Sequence, residues 1–119
     1  MDKVSLAEKF ARIDEAYKPK LVAEYNDNKL LLTRARGDFV WHKHDDTDDL
    51  FYVFKGRLVI QLRDRDVELN EGELFVVPRG VEHCPKADEE AEILVIEPMG
   101  TTNTGDAEPS DLTAEPERL

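Results

Sequence analysis

Cysteine is nearly absent from this chain: Cys84 stands alone among 119 residues. No disulfide can form within the chain, so an apolar core has to hold the fold. Positive charge is in deficit, with 16 Lys and Arg against 27 Asp and Glu and a formal charge of −11. That balance disfavours nucleic acid and anionic membrane surfaces as partners, because both demand positive charge. No apolar run approaches the roughly 18 residues of a membrane span. The opening residues, MDKVSLAEKF, lack the apolar stretch of a signal peptide. The expectation is a soluble cytoplasmic protein. The length allows one domain, and an apolar content of 40% fills one core.

The pattern of the chain predicts a short helix followed by strands. Ser5 and Glu8 form a capping-box pair, and Leu6, Phe10, Ile13 and Tyr17 recur at helical spacing, which predicts a helix over 5–17 that ends before Pro19. From residue 20 the period changes to two, with turn residues about every ten positions. Strands are expected at 20–25, 29–36, 39–44, 50–54, 57–62, 67–69, 74–77, 81–84 and 91–97, with a charged turn at 86–90. Many short strands with tight connections imply an all-β sandwich or barrel rather than an alternating α/β sheet. Three segments follow: a helix and linker over 1–19, a barrel over 20–98 and a tail over 99–119. The tail has few large apolar residues and no period, so composition reads it as disordered, with Leu112 and Leu119 available to pin it to a surface.

Histidine is also scarce, and the three that exist are grouped. His42 and His44 stand two apart in GDFVWHKHDDTDDLFYVFKG (37–56), and His83 ends GELFVVPRGVEH (72–83). Strand side chains alternate, so His42 and His44 share a face with Val40, while Phe39, Trp41 and Lys43 take the other. Of the aspartates that follow, alternation selects Asp49 to face inward with Phe51 and Val53. Neutral imidazoles and a carboxylate suit the same divalent ions. The candidate metal ligands are His42, His44, His83 and Asp49.

These two stretches resemble the motifs of the cupins, small jelly-roll barrels also described as double-stranded β-helices. The first cupin motif is matched by Gly37, His42, His44, Asp49 and Gly56, and the second by Gly72, Pro78, Gly80 and His83. The two lie 15 residues apart, as in compact members of the family, and the likeness covers roughly 29–98. Three positions depart from the pattern. Gly37 stands one residue nearer the first histidine, Ala87 replaces an Asn, and Asp49 replaces a Glu. Asp is one methylene shorter, and a carboxylate–metal bond of about 2.0–2.2 Å has little slack. Either the backbone moves inward, or Asp49 binds through water, or the site is a three-histidine one. The resemblance implies a divalent transition metal (Zn, Fe, Mn or Ni), a pocket lined by Phe51, Val53 and Val81, a small-molecule ligand, and a homodimer. The N-terminal apolar stripe and the strand at 29–36 are the candidate dimer contacts.

Cupins host many activities, so three functions stand open. The first is a metal-dependent isomerase or lyase acting on a small polar metabolite, sugars among them. A loose likeness to mannose-6-phosphate isomerase-like cupins points that way, although nothing places Lys43, Lys55, Arg57 or Arg79 inside to hold a phosphate. The second is a three-histidine iron oxygenase. The third is a non-catalytic binder or structural homodimer.

Overall fold

The computed structural model describes residues 2–119 and is almost entirely β. One helix, α1 (Leu6–Phe10), precedes β1 (Lys20–Tyr25), β2 (Asn28–Asp38), β3 (Asp49–Lys55), β4 (Leu58–Leu62), β5 (Asp66–Leu69), β6 (Leu74–Val77), β7 (His83–Pro98) and β8 (Glu117–Arg118). The jelly-roll architecture expected from the sequence is present. β7 is its hub. β2 runs antiparallel along one edge of β7, from Asn28 opposite Pro98 to Asp38 opposite Lys86. The other edge is shared: β4 takes residues 83–86 and β3 takes residues 92–96.

That hub corrects the expected turn at 86–90. The charged residues there continue one strand of 16 residues across the point where its partner changes from β4 to β3. They are tolerated because Asp88, Glu89 and Glu90 are exposed, and because Arg34 from β2 lies 3.4 Å from Glu90 and 3.1 Å from Glu92. Gly56 makes the crossing possible. Its φ is +88°, and a Cβ there would lie 3.1 Å from the Ala91 Cα and 3.2 Å from the Glu90 carbonyl, so the β3–β4 turn rests directly on β7.

The helix is shorter than the expected span of 5–17. Ser5 caps it as anticipated, accepting from the Glu8 amide at 3.3 Å. Its far end is taken over by the sheet: the Arg34 guanidinium donates to the Phe10 carbonyl at 2.7 Å and to the Ile13 carbonyl at 2.5 Å. The Lys9 and Phe10 carbonyls also accept from the Arg12 and Ile13 amides at 3.0 Å, so the helix closes in a tightened last turn. Ile13 and Tyr17 are still buried, so the stripe packs although the helix has ended. Phe10 stacks on Phe54 with centroids 5.4 Å apart, and with Ile13, Val22 and Leu32 it forms a small core outside the sheet. The main core lies inside, built on Leu31, Ala35, Val53, Leu58, Ile60, Val77, Ala91 and Ile93.

The segment expected as a strand at 39–44 carries only an isolated bridge, at His42. Freed from a ladder, it does not alternate. Phe39 turns inward beside Tyr17 and His42 instead of sharing the outer face with Trp41. Trp41 lies under the Arg63 guanidinium, 3.8 Å from its ring centre.

The tail, which composition reads as disordered, is laid along the domain. Thr104 is fully buried and shares a 2.9 Å hydrogen bond with Thr113. The Asn103 side chain donates to the Leu112 carbonyl and accepts from the Ala114 amide. β8 then pairs parallel with β1. Leu112 packs on the main core and Leu119 on the outer one.

Candidate metal centre

His42 and His83 meet across the isolated bridge. The His42 amide donates to the His83 carbonyl at 3.0 Å, and the His83 amide donates back to the His42 carbonyl at 2.9 Å. This reciprocal pair sets the two rings 4.3 Å apart, centre to centre. The His44 ring lies 5.0 Å from His42 and 5.8 Å from His83. One nitrogen from each of the three falls within 4.8 Å of the others. That spacing suits three ligands around one ion.

The ring orientations are set from behind. His42 Nδ1 lies 2.8 Å from the Val40 carbonyl and His83 Nδ1 lies 2.9 Å from the Val81 carbonyl. A carbonyl only accepts, so each Nδ1 carries the proton and each Nε2 presents a lone pair to the site. Both bonds span two residues. Burial, followed by the neighbouring His83, pushes His42 down to about 4. Burial likewise lowers His83. Both rings are therefore neutral at physiological pH, as metal ligands must be.

Three buried polar atoms in this region lack a hydrogen-bond partner: His44 Nε2, His83 Nε2 and Asp49 Oδ1. Asp49 begins β3 and is 4% exposed. Its Oδ2 approaches His44 Nε2 at 3.3 Å without the alignment of a hydrogen bond. Orphaned atoms of this kind carry a desolvation cost in an empty protein interior and lose it when a cation joins them. The residues therefore fit a divalent ion: three imidazoles lie within reach of one another, and His44 among them also lies within reach of the Asp49 carboxylate.

A second carboxylate sits beside the first. Glu97, near the end of β7, is 3% exposed and joins His44 and Asp49 within 4.8 Å. Burial, then the charge of Asp49, pushes Glu97 up to about 9, against the opposing pull of Lys29. Lys29 is itself buried, 3.7 Å from Glu97, and donates to the Thr101 carbonyl at 2.8 Å. Sequence reasoning passed over Glu97 because it lies outside both histidine stretches. Parity along the last strand carried the signal: Ala91, Ile93 and Val95 point into the core, and Glu97 is the next inward position.

A cavity of about 60 Å³ opens on this cluster. His42, Asp49 and Glu97 form one side, and Leu31, Phe39, Phe51, Leu58, Ile93 and Val95 supply apolar walls. Of the three residues expected to line a pocket, Phe51 does so. Val53 is wholly buried in the core behind it, and Val81 packs on the core edge. Cys84 is buried and points its sulfur toward the Pro85 carbonyl, apart from the histidines.

The tail closes over the ligand segment. The Lys43 amide donates to Asp106 Oδ1 at 2.8 Å, and the Asp106 amide donates to the Lys43 carbonyl at 3.2 Å. Gly105, with φ +54°, lies so close that a Cβ would sit 2.3 Å from the Lys43 carbonyl oxygen and 3.0 Å from the His42 ring. Asn103 reaches the cavity wall.

Comparison with known proteins identifies the family. The cupin domain family matches residues 32–97. The crystal structure of a cupin-2 domain containing protein from Shewanella frigidimarina is 43% identical, with a TM-score of 0.79 over 80% of this chain and 93% of that one. The protein YdbB of Bacillus subtilis, described as uncharacterized, is 33% identical over 63 residues, 52% of this chain and 56% of that protein. The 3-hydroxyanthranilate 3,4-dioxygenase of Ruegeria pomeroyi is 39% identical over 70 residues, 54% of this chain and 39% of that enzyme. The chain thus spans about a quarter to just over half of the curated relatives it matches. With the family matched over more than half of its length, the chain belongs to the cupin-domain family.

Proposed function

We propose that this cupin holds one divalent transition metal on His42, His44, His83 and Asp49 and uses it as an iron-dependent dioxygenase of a small molecule. One observation carries the reading: three buried histidines converge, with the Nε2 atoms of His44 and His83 unpartnered, and His42 among them lines an apolar cavity. Bound iron would supply the centre at which dioxygen is activated. The protein's own contribution is to aim neutral imidazoles through their Nδ1 bonds and to keep water out with Phe39, Phe51, Ile93 and Val95. The relatives named 3-hydroxyanthranilate 3,4-dioxygenase favour an oxygenase over other cupin activities.

A polar or phosphorylated substrate has less support. The cavity walls are mostly apolar. Lys43, Lys55, Arg57 and Arg79 are at the surface, paired with acidic residues in three of the four cases, and Lys29, the buried cation among the described residues, is held by Glu97 and Thr101.

The test is oxygen uptake by protein loaded with Fe(II), using hydroxylated aromatic acids beginning with 3-hydroxyanthranilate. Substrate-dependent uptake that His44→Ala abolishes is expected. Stoichiometric iron with no uptake on any such compound would overturn the oxygenase reading and leave metal-dependent non-redox chemistry.

The homodimer belongs to the same proposal, but through a different surface from the two first considered. Phe10, Ile13, Leu31, Leu32 and Ala35 are buried within the chain, so neither the helix stripe nor the 29–36 strand is available. Among the described residues β6 pairs with β3 alone, and its Leu74 and Val76 are exposed. An open strand edge with apolar side chains suits pairing with a second copy about a two-fold axis.

A further inference from the structure

Lys29, Glu97 and Asp49 form a single row across three neighbouring strands. Lys29 of β2 is the register partner of Glu97 of β7. Leu50 of β3 is the partner of Ile96 in an antiparallel ladder, which sets Asp49 opposite Glu97. All three side chains are more than nine-tenths buried. Two carboxyls opposite one another on a sheet cannot both ionise without a cation between them, and Lys29 lies against Glu97 at 3.7 Å and donates to the Thr101 carbonyl at 2.8 Å. Two further atoms point to what is missing. Asp49 Oδ1 and His44 Nε2 are buried without partners, and both face the same cluster.

The cupin motif places a single glutamate near its histidines, and here that position is the shorter Asp49. Glu97 carries the extra methylene and approaches from the adjacent strand. It faces the cavity with His42 and Asp49, and an oxygen of Glu97, an oxygen of Asp49 and a nitrogen of His44 all lie within 4.8 Å of one another. Donors each about 2.0–2.2 Å from one ion are at most about 4.4 Å apart, so a small side-chain adjustment brings this set onto a metal.

We infer that Glu97 is a direct ligand of the divalent metal, supplying the carboxylate reach that Asp49 lacks, with Lys29 balancing the added charge. The assignment rests on the metal reading above and adds to it a residue from outside both histidine motifs.

Two titrations of the metal-free full chain test it: Zn(II) against a chromophoric chelator, and Co(II) followed by its visible d–d bands. The variants are Glu97→Gln, Glu97→Asp and Lys29→Met, each checked for folding by circular dichroism. Glu97→Gln should weaken Zn(II) binding about tenfold or more and shift the Co(II) bands. Glu97→Asp should shift the bands while keeping the charge, and Lys29→Met, which leaves the ligands intact, should keep the bands in place. Co(II) spectra of both Glu97 variants superimposable on the wild type overturn the assignment while the metal reading stands. A wild-type chain that takes up neither ion overturns both.

Discussion

His42 and His83 are joined by both of their backbone amides, each donating to the other's carbonyl at 2.9–3.0 Å. Residues 41 positions apart are thereby locked at the point where their rings must converge. The bridge stands alone: His42 lies outside the named strands and His83 opens β7. A single reciprocal pair therefore sets the separation of two proposed ligands, and the Val40 and Val81 carbonyls set their rotation. The site is prepared before any ion arrives, which reduces the ordering that binding has to impose.

The metal-free protein should show opposed pH dependences from the two sides of this site. His42 is pushed down to about 4 in the fold, against about 6.5 in an unfolded chain. Between those values the unfolded chain binds more protons, so stability falls as pH falls from about 6.5 to about 4, by on the order of 3 kcal/mol. Glu97 is pushed up to about 9 from 4.5. Between those values the folded chain binds more protons, so its contribution is lost as pH rises through that window. Above pH 6.5 the Glu97 effect acts without opposition from His42. Urea unfolding in EDTA at pH 6.5 and 8.5 should show wild type losing stability with rising pH and Glu97→Gln losing distinctly less. Equal losses in the two proteins would contradict the burial of Glu97 as a protonated acid.

Gly105→Ala should loosen the tail from the ligand segment. The added Cβ meets the Lys43 backbone carbonyl at 2.3 Å, and the residue already holds φ +54°. Strain of this kind costs about 1–3 kcal/mol, and relief requires breaking the paired bonds between Asp106 and Lys43. A lower melting temperature and faster amide exchange at Lys43 and Asp106 are expected. Because the added Cβ would also lie 3.0 Å from the His42 ring, Zn(II) affinity should fall with them. A chain truncated after Pro98 that keeps full metal affinity would remove the tail from the site.

The dimer is tested at β6. Light scattering after size exclusion should give about twice the 13.6 kDa chain mass, and Leu74→Lys with Val76→Lys should return it to a monomer while leaving metal content unchanged. A wild-type monomer would remove the dimer from the account.

Much of this was legible in the sequence because its signals are local. Two-residue periodicity and regular turns identify the β architecture, and the paired motifs bring His42, His44, Asp49 and His83 into one neighbourhood. What was missed depends on contacts between distant segments. The helix closes near Phe10, where Arg34, from a strand, donates to the Phe10 and Ile13 carbonyls. Residues 86–90 look like a turn because charge clusters there, yet the strand continues where its neighbour changes. The tail has no period, but Thr104, Leu112 and β8 each find a partner in the folded domain. Glu97 was hidden for a related reason: a lone acidic residue closing a strand is ordinary until the register sets it opposite Asp49.

The most direct test of the central claim is elemental analysis of protein purified without chelator, for wild type and His44→Ala together. The account predicts about one divalent transition metal per wild-type chain and a near-complete loss in the variant. Equal stoichiometric metal in both, or none in the wild type even after incubation with Fe(II) or Zn(II), would contradict it.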